Sequence, residues 1–132
     1  MRVTARRFAE NPIITPAVIP ASRPDLTVAG VFNPGVARHD GNIVLLLRVA
    51  ESPRDVPDGD VAAPAYDTRA GRLEIRRWRR DADGVDAGDS RMIVAGGRTW
   101  LTSISHLHVA RSADGVHFDI AATPALSAAT EY

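Results

Sequence analysis

The sequence predicts an all-β fold built from antiparallel hairpins. Two features exclude helix as the main element. Prolines at 12, 16, 20 and 24 punctuate the first quarter of the chain, and each proline inside a helix costs about 3 kcal/mol. No stretch keeps apolar residues at a 3.6-residue period across three turns. A third feature points to strands directly. Three segments share one pattern, a β-rich run, a turn signal and a second β-rich run.

Taken in order, residues 1–28 read as an extended N-terminal segment laid over a surface, and residues 29–132 as hairpins. Val31–Gly35 (VFNPG) reads as a tight bend, with Asn33 just before Pro-Gly. The first hairpin runs from Gly30 to Glu51 and turns at Asp40-Gly41, since both central residues of such a turn need positive φ. Its second strand is apolar on both sides from Ile43 to Leu47, the pattern of a strand covered on both faces, and Arg48 lies near its end. The second hairpin, Val61 to Arg79, turns through Asp67–Gly71. The third, Leu101 to Ile120, turns through Ala113–Gly115. There, alternation puts Ile104, His106, His108 and Ala110 on one face and Ser105, Leu107, Val109 and Arg111 on the other.

The run VARHDGNIVLLL (36–47) is echoed by VARSADGVHFDI (109–120), as in an internal repeat of a hairpin unit. Repeated antiparallel units of this size fit a sandwich, a barrel or propeller blades. Three hairpins are an awkward number for closing a propeller, and the tail ATPALSAATEY adds no capping element. The expectation is the front part of a longer fold, or a piece that assembles with others.

Composition narrows the function classes. The chain has 132 residues, enough for one domain with a modest core. With 45% apolar and 24% charged residues it is too apolar for disorder. A net charge of zero gives no general attraction to nucleic acid or an anionic membrane. The absence of Cys excludes disulfides, thiolate catalysis and Cys-type zinc sites. No apolar run approaches the roughly 20 residues that span a bilayer, and the residues from Met1 to Phe8 lack a signal-peptide core, so a cytoplasmic protein is expected. All sixteen basic residues are Arg, which fits a coding bias better than sixteen separate demands for a planar cation.

Several apparent motifs read as structural. RRWRR (76–80) alternates its arginines around Trp78 and is followed by acidic DADGVDAGD, the pattern of a solvated hairpin. His106 and His108 have a chelating spacing, but no third ligand is obviously placed and no metal site is expected. His39 and His117 fall at hairpin turns. No phosphate-cradling Gly-rich loop, Gly-x-Ser-x-Gly elbow or His-Glu-x-x-His is present. DVPDGD (55–60) lacks the calcium-loop spacing and reads as an exposed loop.

Three blocks, NPIITPAVIP (11–20), VFNPGVARHDGNIVLLLRVAESPR (31–54) and SHLHVARSADGVHF (105–118), together resemble the N-terminal part of glycoside hydrolase family 130. The resemblance implies a single five-bladed β-propeller domain with a sugar site at one mouth of its channel, of which this chain holds the first blades. It also implies an enzyme, a β-mannoside phosphorylase or a related hydrolase. The phosphorylase would release mannose 1-phosphate by inverting phosphorolysis, with inorganic phosphate as co-substrate, a β-mannosyl oligosaccharide as substrate and no cofactor. The alternative is a non-catalytic relative that binds carbohydrate or assembles through open strand edges, homo-oligomers included.

Such a phosphorylase needs a general acid but no second carboxylate, because phosphate is itself a competent nucleophile. The resemblance places that acid in a Glu-Asp-Pro-Arg-like stretch, which does not occur in this sequence, so no catalytic residue is assigned. It places acceptor choice and phosphate contacts largely in later blades. Asn33 and Arg48 match positions that hold the mannosyl ring, and the residue types suit that role. An amide both donates and accepts toward hydroxyls, and a guanidinium fork spans vicinal oxygens. The residues themselves also allow Asn33 as a turn residue bonded to its own backbone, and Arg48 in an ion pair with Glu51. Ser105 and His106 fall in a matched block, with a structural histidine as the competing role for His106. Glu51 lies three residues beyond Arg48, hence on the opposite face unless the strand bends.

Overall fold

The computed structural model describes residues 4–5 and 7–129. The first positions of the N-terminal segment and the final three residues, read above as part of the extended arm and the tail, lie outside them. The described chain is all-β apart from one 3-10 turn at Pro16–Val18.

Strand β1 (Leu26–His39) and strand β2 (Asn42–Pro53) form the first hairpin, longer at both ends than the sequence suggests. Asp40 and Gly41 adopt φ of 47° and 77°, the two positive values that the Asp-Gly dipeptide supplies. Strands β3 (Asp60–Asp67) and β4 (Arg72–Arg79) pair as a separate two-stranded sheet. Its turn is set by Asp67, whose carboxylate accepts the Arg69 and Ala70 N–H groups at 2.8 and 3.0 Å.

A three-stranded meander follows: β5 (Val85–Asp86), β6 (Met92–Ala95) and β7 (Arg98–Leu101). It falls where the sequence reading has no hairpin, and its Gly96-Gly97 turn takes φ of 60° and 71°. Strand β8 (Ile104–Ser112) returns to pair with β2, and the short β9 (Asp119–Ile120) pairs with β8. The first sheet therefore has the order β1-β2-β8-β9.

Two boundaries of the third hairpin also differ from expectation. Leu101 belongs to β7, not to the third hairpin. The return arm of that hairpin shrinks to two residues because side chains take over the local backbone groups. Asp114 accepts the Val116 and His117 N–H groups, and the Ser112 hydroxyl accepts those of Asp114 and Gly115.

Two cores serve the three sheets, one under the first sheet and one shared by the other two. Leu47, Val49 and Ala110 are buried under Ile19 of the N-terminal arm, with Ile14, Phe118 and Ile120 closing the edges. The arm is thus laid over a surface, as its prolines suggest. Val61 and Ala63 of β3 pack against Ile93 and Ala95 of β6, with Trp78 and Trp100 alongside. The indole centroids stand 5.5 Å apart at 40°.

The central position of β2 is as expected, but its coverage is not. Leu47 is 2% exposed while Leu46 is 39% exposed, and Phe32 on β1 is 46% exposed. Only one face of β2 is sealed among the described residues, because the arm crosses that face alone. Arg48 also lies in mid-strand rather than near the end, since pairing with β1 continues to Pro53.

Turn geometry makes a sharp prediction. Gly41→Ala forces a Cβ into left-handed backbone and should lower unfolding stability by about 1–2 kcal/mol. Gly35→Ala, whose Cβ would meet Leu46 at an ordinary 3.7 Å, should change it by less than about 1 kcal/mol. Urea midpoints of the two variants measure the difference.

Candidate functional site

Strand alternation sorts the candidate residues between two environments. Arg48 sits opposite Phe32 on β1 and Leu107 on β8, on the open face of the first sheet. Glu51 pairs with Val28 and Ile104 and is fully buried on the other face. The strand does not bend enough to join them, so no ion pair links Arg48 to Glu51.

Glu51 instead holds the N-terminal arm. Its Oε1 accepts the Ser22 N–H at 2.6 Å, and its Oε2 accepts the Ser22 hydroxyl. The His106 Nε2 lies 3.1 Å from the same Oε2 and, facing a carboxylate, donates its proton. Burial pushes the Glu51 carboxyl up, but the hydrogen bonds from His106 and Ser22 outweigh it and leave the pKa below the ordinary value. His106 is 5% exposed and His108 is fully buried, with its Nδ1 3.2 Å from the Ala121 carbonyl. Among the described residues no group of three His, Asp or Glu is placed to hold a metal. The Glu51 carboxylate is thus committed to the arm and to His106, while the buried His106 Nδ1 has no hydrogen-bond partner among the described residues.

Arg48 and Ser105 remain together. The Arg48 Nε donates to the Ser105 Oγ at 3.4 Å, across neighbouring strands. Its guanidinium also lies 5.4 Å from the centroid of the Phe32 ring. That ring crosses over Gly30, where an added Cβ would come within 2.5 Å of its Cζ. A glycine two residues upstream therefore lets Phe32 support Arg48.

Both Arg48 and Ser105 line a cleft of about 670 Å³ between the first sheet and the rest of the chain. The opposite wall carries Tyr66, Arg69, Arg76, Arg98 and Trp100. Sequence reading missed this wall. Arg76 does share a strand face with Trp78, but Trp100 lies in the unread meander.

Asn33 is placed differently from the expected bend. Val31–Gly35 lies inside β1, where the register skips between Phe32 and Gly35, so Asn33 and Pro34 form a bulge. Asn33 is exposed one residue beyond the strand partner of Arg48, and its side chain makes no hydrogen bond among the described residues. It does not line the cleft.

No family model matches the chain. Over 130 residues, 96% of its length, it is 40% identical to a β-1,2-mannobiose phosphorylase of Listeria innocua. The solved structure of β-1,2-mannobiose phosphorylase from Listeria innocua, in complex with β-1,2-mannobiose, superposes with a TM-score of 0.80 over 91% of the chain at 40% identity. By sequence and by fold the chain is similar to that phosphorylase. It spans 37% of the length of the curated relative and 35% of the solved chain.

The Glu51 cluster sets a pH dependence of stability. Because the folded carboxyl titrates below its ordinary value of 4.5, its contribution is present above that pH and is lost as pH falls through the lowered value. Glu51→Gln should lower stability at neutral pH by roughly 1–3 kcal/mol. It should also flatten the loss of stability below the ordinary value. Denaturant titrations at several pH values check both.

Proposed function

We propose that the protein is a glycoside phosphorylase acting on β-mannosides, and that this chain contributes part of the sugar-binding cleft of one propeller domain. The carrying observation is the convergence of Arg48 and Ser105 on a polar cleft, in a chain 40% identical to a β-1,2-mannobiose phosphorylase. A guanidinium already oriented by an aromatic ring and a serine spends little entropy when it grips two hydroxyls of a pyranose. Asn33, exposed on the adjacent bulge, is proposed to reach the same ring from its rim. The apolar residues left open on the first sheet, Phe32 and Leu46, support packing against further blades.

In the proposed reaction a phosphate oxygen attacks the anomeric carbon from the face opposite the scissile bond. The bond to the leaving sugar breaks as the general acid protonates its oxygen, giving mannose 1-phosphate with inverted configuration. The acid is proposed to come from outside these 132 residues. The role of this chain is to hold the mannosyl ring so that attack and departure stay in line.

The test uses the full native protein with β-1,2-mannobiose, followed by ³¹P NMR with and without inorganic phosphate. Mannose 1-phosphate should form only when phosphate is present. Arg48→Ala should reduce kcat/KM by roughly 10- to 100-fold while the thermal midpoint stays near that of the parent. Phosphate-independent release of free mannose would reassign the protein to hydrolysis. Unfolding of Arg48→Ala would make the arginine structural.

A further inference from the structure

Two adjacent residues of the N-terminal arm hold both walls of the cleft at once. Ser22 binds the Glu51 carboxylate on β2 through its amide and its hydroxyl. The next residue, Arg23, donates from Nη1 to the Leu73 carbonyl on β4, fifty positions away. Among the described residues β4 pairs with β3 alone, which leaves its other edge open to such a side chain. Each anchor point is one strand pairing from a residue that lines the cleft. Glu51 is the register partner of Ile104, the neighbour of Ser105, and Leu73 is the register partner of Tyr66. Ile104 and Tyr66 both line the cleft, from the first and second sheets.

The arm is stiff where it makes this tie. Pro20 and Pro24 flank the pair and fix φ on either side. The Asp25 carboxylate accepts from the Arg23 Nε and Nη2 at 2.9 and 2.6 Å, so the guanidinium meets Leu73 with its plane already set. The Arg23 carbonyl accepts the Leu26 N–H at 3.2 Å, and the Asp25 carbonyl accepts the Arg54 N–H at 2.9 Å. These bonds fasten the turn to the start of β1 and to the residue after β2. Arg91 makes the same kind of fork with Asp89, at 3.1 and 2.9 Å, on a loop of the meander. Arg23 differs by adding a bond to a distant strand.

We propose that Ser22 and Arg23 form a clasp that sets the separation of the cleft walls, and that Arg23 is a positioning residue for the sugar, acting through Leu73 and Tyr66. The inference rests on the carbohydrate reading for its ligand and on geometry alone for the clasp. A displaced wall weakens the grip on the ring in ground state and transition state alike, so the loss falls in KM.

The test uses the full native protein and two readouts. Nitroxide labels on Ala70→Cys and Arg111→Cys, exposed positions on the β3–β4 turn and on β8, report the wall-to-wall distance by electron spin resonance. Arg23→Ala should broaden that distance distribution and raise KM for β-1,2-mannobiose roughly tenfold, with kcat within about twofold. Arg23→Lys, which keeps the charge but loses the fork, should fall between. Arg91→Ala breaks a matching fork outside the clasp and should change neither readout. Adding Ser22→Ala to Arg23→Ala should raise KM little further, since the tie is already cut. An unchanged distance in Arg23→Ala overturns the clasp, as does a fully additive Ser22→Ala effect or a fall in kcat with KM unmoved. If Arg23→Ala fails to fold, Arg23→Lys decides by the same readouts. A parent without phosphorolysis sinks the sugar reading, and the distance measurement still decides the clasp.

Discussion

The buried carboxylate of Glu51 is the constraint on which the rest of this structure depends. A charge without exposure is tolerable only when donors surround it, and Glu51 has three: the Ser22 amide, the Ser22 hydroxyl and the His106 ring. Two of the three come from one residue of the N-terminal arm. The arm is therefore held across one face of the first sheet, where Ile14 and Ile19 complete an apolar core. That face becomes interior, and the opposite face is left for contacts with other molecules or other blades.

The open face inherits its chemistry from the same strand. With a two-residue repeat, three positions separate Arg48 from Glu51, so one is turned outward when the other is buried. The outward guanidinium is supported by a short chain of causes: a missing side chain at Gly30, a phenyl ring in the space that leaves, and a cation over the ring. Across the cleft, Trp100 supports Arg76 and Arg98 in the same manner. Aromatic rings thus help to orient long flexible side chains on both walls.

What the sequence made legible was local. Asp40-Gly41 specifies its turn through the φ values those two residues tolerate, and the alternation from Ile104 to Arg111 reports which side of β8 is buried. The separation of Arg48 from Glu51 was likewise readable from parity. What stayed hidden depends on contacts distant in sequence or on very short elements. The β5–β7 meander has strands of two and four residues, too short for alternation to register. The meeting of Trp78 with Trp100 needs two sheets to fold together first. The bulge at Asn33 and Pro34 looks like a turn because Pro-Gly serves both purposes, and only the pairing of β1 on either side distinguishes them. The sugar-binding role proposed for Arg48 comes from family resemblance, since no local pattern distinguishes it from an ordinary ion pair.

The account stands on a division of labour across β2, with the Arg48 side meeting ligand and the Glu51 side holding the arm. NMR of side-chain nitrogens in the full native protein during a mannose titration tests it most directly. The account predicts saturable shifts at the Arg48 Nε, while the His106 and His108 ring signals stay fixed. Shifts at His106 with Arg48 unmoved would contradict it, because the sugar would then be reaching the face that the arm is held to seal.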